Sequence, residues 1–591
     1  MNGRVYINNQ CGEGVNEQER VMCFDAVTGK VLWEKKFNVF LSDIVSVRLG
    51  WTTLAGDPAT GNVYWHGTQG YLIGFNKDGK ILWERSLTEE YGRISGYGGR
   101  IASPTVAGDV VVVGMNNANW GDMAKGANRW LAVDKQNGTP VWWSDPADKP
   151  LSTYYSTPVV ATIGGVPLLI TGGADGAIHA MQVGTGKPAW RYFFTDGAIN
   201  SCAVVDGNLV YCCSGEENPG SNELGRIICV DAGKVENGKP AFVWQKDGIS
   251  VRYTTPLLKD GLLYVCDDTA KLFCFDTVKE KGKILWKYSY GRNAKGSPVW
   301  GDGKIYLADV NSKFHILQPS KEGCKSLDKH LFSDAAGADI EVNGTPAIAE
   351  GRVYFSTRDE TYCIARKDAK PAVQTATMPK AVKGNAGQLL LYPCDVVAKP
   401  GDTVSFKPKV YDVNGNFLHE LPEKAVTWSL PQPPLPPGAK NQPPALQADL
   451  DPASGSIKIK QAPPGQHGYV EATWNGFKAK ARVRVLPPLP FTQDFEKVPD
   501  GAVPAAWVSC QGKFVVKVLP DGNHVLAKVN NNSNALIARG SCFFGKPDLT
   551  DYTIEADVRG SKVGTDMPDV GIGACRYTLY LGGNTQVLRL I

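Results

Sequence analysis

A tryptophan that follows a glycine turn and returns every forty to sixty residues limits the fold of this chain more than any other feature. It closes "VMCFDAVTGKVLW" at Trp33 and "YLIGFNKDGKILW" at Trp83. It then recurs at Trp142, Trp190, Trp244 and Trp286, in steps of 50, 59, 48, 54 and 42 residues. Ahead of it, most units carry a Ser/Thr-Pro pair and a G-x-x-Y segment, as at Ser103-Pro104, Thr157-Pro158, Thr255-Pro256, Ser297-Pro298 and Thr345-Pro346. Two further units, from Gly303 and Gly351, keep the pattern without the tryptophan. Each unit therefore holds four short β-rich runs separated by turn residues. One such sheet cannot bury both of its faces, so neighbours must stack on one another. A flat, apolar indole suits the gap between them, which makes the six tryptophans structural. The pattern predicts an all-β chain whose residues 1–368 form a β-propeller, eight-bladed with seven blades as the alternative count.

The units resemble the pyrroloquinoline-quinone (PQQ)-type propeller repeat, whose pattern is A-x-D-x-x-T-G-K-x-x-W. Their compact spacing is similar to that of the BamB-type outer-membrane assembly lipoproteins and related envelope propellers. Quinoprotein dehydrogenases differ in carrying long insertions between repeats. The resemblance implies a periplasmic or extracellular location, although Met1-Asn2-Gly3-Arg4 leads straight into a strand with no signal peptide. The first unit lacks its introductory strand and the eighth stops after its third strand, near Cys363. The expectation is that upstream residues, an export signal among them, are absent from this sequence.

Composition removes two classes of function. Lys and Arg number 63 against 59 Asp and Glu, so there is no basic field for nucleic acid. No apolar run approaches the ~18 residues that span a bilayer.

Fourteen cysteines raise the question of disulfides or a metal. Cys23, Cys229, Cys274 and Cys363 occupy the repeat position held by Ala132 and Ala180, and Cys213 and Cys266 align with Ala308 and Ser356. Cysteine here takes the place of a small buried residue. No C-x-x-C pair occurs, and His66, His179 and His315 sit at ordinary strand positions, so no metal site is expected. The adjacent Cys212 and Cys213 are candidate cofactor-binding residues, because the resemblance extends to PQQ alcohol dehydrogenases with a vicinal pair beside the cofactor. The other reading is that successive strand residues face opposite sides of a sheet. A quinoprotein would also need calcium held by oxygen ligands and a carboxylate base, and neither can be assigned.

Beyond the propeller, residues 369–387 read as a linker and 388–487 as an immunoglobulin-like β-sandwich, with Asn414-Gly415 as a hairpin turn. Asp412, Asn414 and Asn416 mimic part of a calcium loop but lack the bidentate acid that would complete it. "LPQPPLPPGAKNQPP" reads as an exposed polyproline-like loop. Residues 488–591 resemble the start of a concanavalin-like or laminin-G-like jelly roll, C-terminally truncated. There "YTIEADVRG" is expected to be a strand placing Glu555, Asp557 and Arg559 on one face. Arg559 stands where a glycosidase would need a second acid, so the trio reads as a solvated or salt-paired strand face.

The chain is therefore expected to be a non-catalytic scaffold that binds a protein or glycan without a cofactor. PQQ- and calcium-dependent dehydrogenation and carbohydrate binding through the jelly roll are the alternatives. Binding belongs on the loops of a rigid scaffold. The candidates are the inserted segments Asn116–Asn128, with Trp120 either an exposed anchor or tucked under its own loop, and Gly215–Gly225, with Glu216, Glu217 and Asn218.

Overall fold

The computed structural model describes residues 1–40, 48–95, 97–366, 379–434, 442–529, 540–562 and 564–591. The chain divides into two compact units. One is Met1–Trp143 with Ala386–Tyr411 and Phe417–Ile591, and the other is Ser144–Asn385 with Asp412–Asn416.

Among the described residues up to 366, eight antiparallel sheets follow one another, six of four strands and two of three. Each is a meander. The second sheet, for example, runs through Ala55–Gly56, Val63–His66, Tyr71–Phe75 and Ile81–Ser86. The three-stranded sheets are the first, which opens at Arg4–Cys11, and the eighth, which ends at Thr361–Ala365. This is the β-propeller that the repeat predicts.

One cross-strand row explains the repeat's composition. The tyrosine of G-x-x-Y lies opposite a small residue on the third strand, and the fourth-strand tryptophan lies opposite that residue in turn. The rows are Tyr6–Cys23–Trp33, Tyr64–Gly74–Trp83, Tyr211–Cys229–Trp244 and Tyr264–Cys274–Trp286. The middle residue must be small because the rings on either side close over it: a Cβ on Gly74 would stand 2.7 Å from Trp83 Cε2. A β-bulge follows the small residue in each row and shifts the fourth strand's register beside the indole. Cys363 holds the same position in the eighth sheet, opposite Tyr354, yet is exposed. No described fourth strand covers it, which corrects the expectation of a buried thiol there.

Three of the indoles also grip the following sheet through a hydrogen bond. The N–H groups of Trp33, Trp83 and Trp286 donate to the carbonyls of Lys77, Lys135 and Ser320 at 2.9, 3.0 and 2.8 Å. Those carbonyls lie in the turn between the third and fourth strands of the next sheet. The turn glycine has two duties. Gly79, Gly138 and Gly282 have φ of 80°, 72° and 82°, in the left-handed region. A Cβ on them would meet the ring of Trp33, Trp83 or Trp244 at 2.6, 2.6 and 2.8 Å. The T-G-K turn and the tryptophan are thus two halves of one contact, each supplied to a neighbouring sheet.

At the other margin, first strands of neighbouring sheets are tied through the Ser/Thr-Pro pairs. Thr53 N–H donates to Ser103 Oγ at 2.9 Å. Cys202, Thr255 and Ser297 likewise donate to the hydroxyls of Thr255, Ser297 and Thr345 at 3.2, 2.9 and 2.9 Å. The hydroxyl caps an amide that the short first strand leaves unpaired, and the proline that follows has no amide to satisfy.

Residues 386–485 form a β-sandwich whose sheets enclose Leu391, Phe406, Val410, Ile457, Val470 and Val483. Its first strand, Ala386–Tyr392, starts inside the expected linker, of which 369–378 lie outside the described residues. The hairpin forms as expected, with Val410 opposite His419. Asp412 Oδ1 accepts from the amides of Asn414 and Asn416 at 2.9 and 2.8 Å, so this carboxylate closes a turn. Residues 435–441 of the proline-rich insert lie outside the described residues.

The last region holds a two-stranded sheet, Phe514–Val518 with His524–Lys528, and a three-stranded one from Val570 to Leu590. The expected strand around Glu555, Asp557 and Arg559 does not form, and all three side chains are exposed in irregular chain. The reason is local. A strand persists only when a neighbour accepts its hydrogen bonds, and no described segment pairs with this one.

Candidate functional site

The loops that vary between units are the hairpins joining second to third strands. The two inserted ones have different fates.

In the third sheet Asn116 and Asn128 are not loop residues. They face each other across paired strands, Val110–Asn117 and Ala127–Asp134, and both are buried. Trp120 is not an exposed anchor either, being 1% accessible. Its cover comes from the sandwich strand Phe477–Val485, on which alternation sends Ala481, Val483 and Val485 into the sandwich core and Arg482 and Arg484 to the other face. The Arg482 guanidinium lies 3.9 Å from the Trp120 ring centroid and donates to its carbonyl at 2.7 Å. It pairs with Asp395 at 3.1 Å and Asp122 at 3.3 Å. Arg484 is wholly buried and donates to the carbonyls of Ala506 at 2.7 Å and Glu90 at 3.2 Å. Burial depresses it to about 10, and burial raises Asp395 to about 6 against the pull of Arg482 and Arg85. Buried guanidinium groups bonded to Trp120, Asp395 and backbone carbonyls hold protein against protein, so this loop is closed to a partner.

In the fifth sheet the segment Gly215–Gly225 stays open and is braced from within. Asn218 is buried and its amide donates to the carbonyls of Glu223 at 2.7 Å and Gly225 at 3.0 Å. Beneath it Arg226 makes a bidentate pair with Asp247 at 2.7 and 2.8 Å. The Glu217 carbonyl accepts from Asp196 N–H and Thr195 Oγ1 at 2.8 and 2.9 Å, which leaves its carboxylate exposed on a fixed backbone. Beside it Glu216 faces Arg252 at 3.7 Å, and Arg252 faces Asp268 at 3.8 Å. Asp268 in turn accepts from Arg252 N–H at 2.8 Å and Ser250 Oγ at 2.7 Å. The Tyr155 hydroxyl donates to the Arg252 carbonyl at 3.4 Å. The result is a charged, hydrogen-bonded surface in the second unit, of Glu216, Glu217, Arg252 and Asp268. Arg252 and Asp268 escape a reading of single loops. Their signal is positional, since they lie in the connection before Thr255-Pro256 and in the next sheet's hairpin.

The paired cysteines do not make a cofactor floor. Cys212 packs with Ile170, Ile228 and Val230, whereas Cys213 packs with Ile227, Val265 and Phe275. Both are free thiols, fully buried on opposite faces of one sheet. Burial raises both. A quinone with calcium would need carboxylates converging beside such a pair. Among the described residues no three His, Cys, Asp or Glu side chains are placed to hold a metal. The residues present therefore do not fit that group. The buried histidines are used internally: His66 Nδ1 lies 3.1 Å from the Ala102 carbonyl, and His179 Nε2 lies 2.9 Å from Asp175.

Comparison with known proteins agrees with the repeat. Residues 17–288 match the family model described as outer membrane protein assembly factor BamB. The chain is 24% identical over 300 residues to the outer membrane protein assembly factor BamB of Bordetella pertussis, covering 50% of this chain and 67% of that one. It is 23% identical over 337 residues to the same factor of Burkholderia pseudomallei, covering 56% and 77%. Among solved structures, BamB from Moraxella catarrhalis aligns over 61% of this chain and 97% of its own, at 15% identity and a TM-score of 0.42. Quinohemoprotein alcohol dehydrogenase from Comamonas testosteroni aligns over 65% and 78%, at 12% identity and a TM-score of 0.43.

Proposed function

We propose that this BamB-like chain of PQQ-type propeller repeats is a non-catalytic scaffold of the bacterial envelope, and that it binds a protein partner through the loops of its second unit. The braced Gly215–Gly225 hairpin carries the reading. It holds Glu217 out to solvent on a backbone fixed by Asn218 and Thr195, so a partner meets a surface that loses little entropy on binding. The counterpart hairpin in the third sheet is already occupied by the sandwich. The relatives' name, outer membrane protein assembly factor, supports a partner within the machinery that assembles outer-membrane proteins. The sandwich serves as a spacer of immunoglobulin-like type.

The test is photocrosslinking in envelope fractions of the native host, with the crosslinker placed at Glu217 or at Val278. The second site is an exposed residue of a turn between third and fourth strands, at the opposite end of the sheets. A discrete adduct with a β-barrel assembly component from Glu217, and none from Val278, is the expected result. Equal labelling from both sites, or an adduct from Val278 alone, would overturn the assignment of the surface.

A further inference from the structure

We infer that Cys510 and Cys542 form a redox-active dithiol that closes into a disulfide beside the isolated β-bridge joining their two segments. The geometry begins with Val508 and Phe543, an isolated antiparallel pair whose amides and carbonyls exchange hydrogen bonds of 2.8 and 2.9 Å. In an undisturbed ladder, residues 510 and 542 would point to opposite faces. Here Ser509 has φ of 64°, a left-handed turn that breaks the alternation directly before Cys510. Cys510 Sγ thus folds back to 3.9 Å from the Val508 carbonyl, the same carbonyl that accepts from Phe543 N–H, and Cys542 immediately precedes Phe543. The bridge thus sets the Cys542 thiol beside Cys510, and this neighbour, ahead of burial, raises Cys510.

The neighbourhood suits exchange. Cys510 is 1% accessible, whereas Cys542 is half-buried and reachable from solvent. Lys513 Nζ is buried beside them and donates to Ser509 Oγ at 2.7 Å, and its own burial holds the amine down at about 8. In its neutral form that amine accepts the thiol proton, and the ammonium so formed stands as a cation beside the thiolate. With a disulfide oxidant R–S–S–R, the Cys542 thiolate attacks one sulfur and releases RS⁻, leaving Cys542–S–S–R. Cys510 then gives up its proton and attacks the Cys542 sulfur, which expels the second RS⁻. Two protein thiols lose two electrons and two protons in total, and the oxidant leaves as two RSH.

The test uses the full chain equilibrated with oxidised glutathione, alkylated without reduction, digested and mass-mapped. The expected product is one linked pair of peptides containing Cys510 and Cys542, two hydrogens lighter than the reduced pair. Cys542→Ser is expected to abolish the link and Cys510→Ser to trap a glutathione adduct on Cys542, with melting curves confirming that both variants fold. Full alkylation of both thiols after oxidation, or linkage of either to another cysteine, would overturn the assignment.

Discussion

Replacing Gly138 with alanine tests whether the indole-to-turn contact is what binds one sheet to the next. Gly138 has φ of 72°, and a Cβ would stand 2.6 Å from Trp83 Cε3 and 2.8 Å from Cδ2. Two costs are expected. The left-handed backbone penalises any Cβ by about 1 kcal/mol. Displacing a packed ring, together with its 3.0 Å bond to Lys135, costs roughly another 1–3 kcal/mol. Gly108, in the same unit at φ 59° with nothing within 4 Å of a Cβ, supplies the control that pays the backbone term alone. Gly138→Ala is therefore expected to destabilise by about 2–4 kcal/mol and Gly108→Ala by about 1 kcal/mol. Because a chain of several domains need not unfold in one step, the readout is hydrogen exchange in peptides spanning Ile81–Ser86 and Ala127–Asp134. In a Trp83→Ala background the excess of Gly138→Ala over Gly108→Ala should vanish. Equal effects in the wild-type background, or an excess that survives loss of the indole, would refute the interlock.

Two pH dependences of opposite sign follow from buried groups. Asp395 is raised to about 6, chiefly by burial, so the folded chain keeps this proton where the unfolded chain has lost it. Its contribution is fully present below about pH 4 and is lost as pH rises through about 6, roughly 3 kcal/mol in all. Melting curves of Asp395→Asn should accordingly be flatter across that window. His66 is lowered to about 4 by burial, so its contribution is present above about pH 6.5 and is lost as pH falls through about 4, again roughly 3 kcal/mol. His66→Gln should reduce the acid sensitivity of the first unit, seen as a smaller drop in melting temperature between those pH values.

Periodicity is why the propeller was legible from residues alone. Trp33 to Trp286 mark units of one kind, with a small residue and a glycine turn ahead of each tryptophan and a tyrosine ahead of four of them. Burial set by distant chain was not legible. Trp120 reads as a loop tip, but the guanidinium that covers it lies 362 residues away in sequence. Nothing near Trp120 encodes that. "KARVRVLP" announces a strand and its alternation, yet not that its arginine face meets protein instead of water. Glu555, Asp557 and Arg559 show the converse error: a pattern suited to a strand is not a strand without a partner. In the candidate surface Glu217 was found because its loop is an insertion. Arg252 and Asp268 belong to the chain's ordinary connections, and only the packing of one sheet beside the next brings them to Glu216.

The grip of Trp33, Trp83 and Trp286 on the succeeding sheet has a direction, always from earlier chain to later. During synthesis a newly emerged sheet therefore shows a bare aromatic plate until the following hairpin leaves the ribosome. Assembly proceeds like a zip whose every tooth waits for its successor. A translational pause inside a unit exposes one indole, and a pause between units exposes the same one, so sticky surface stays constant however long the chain has grown.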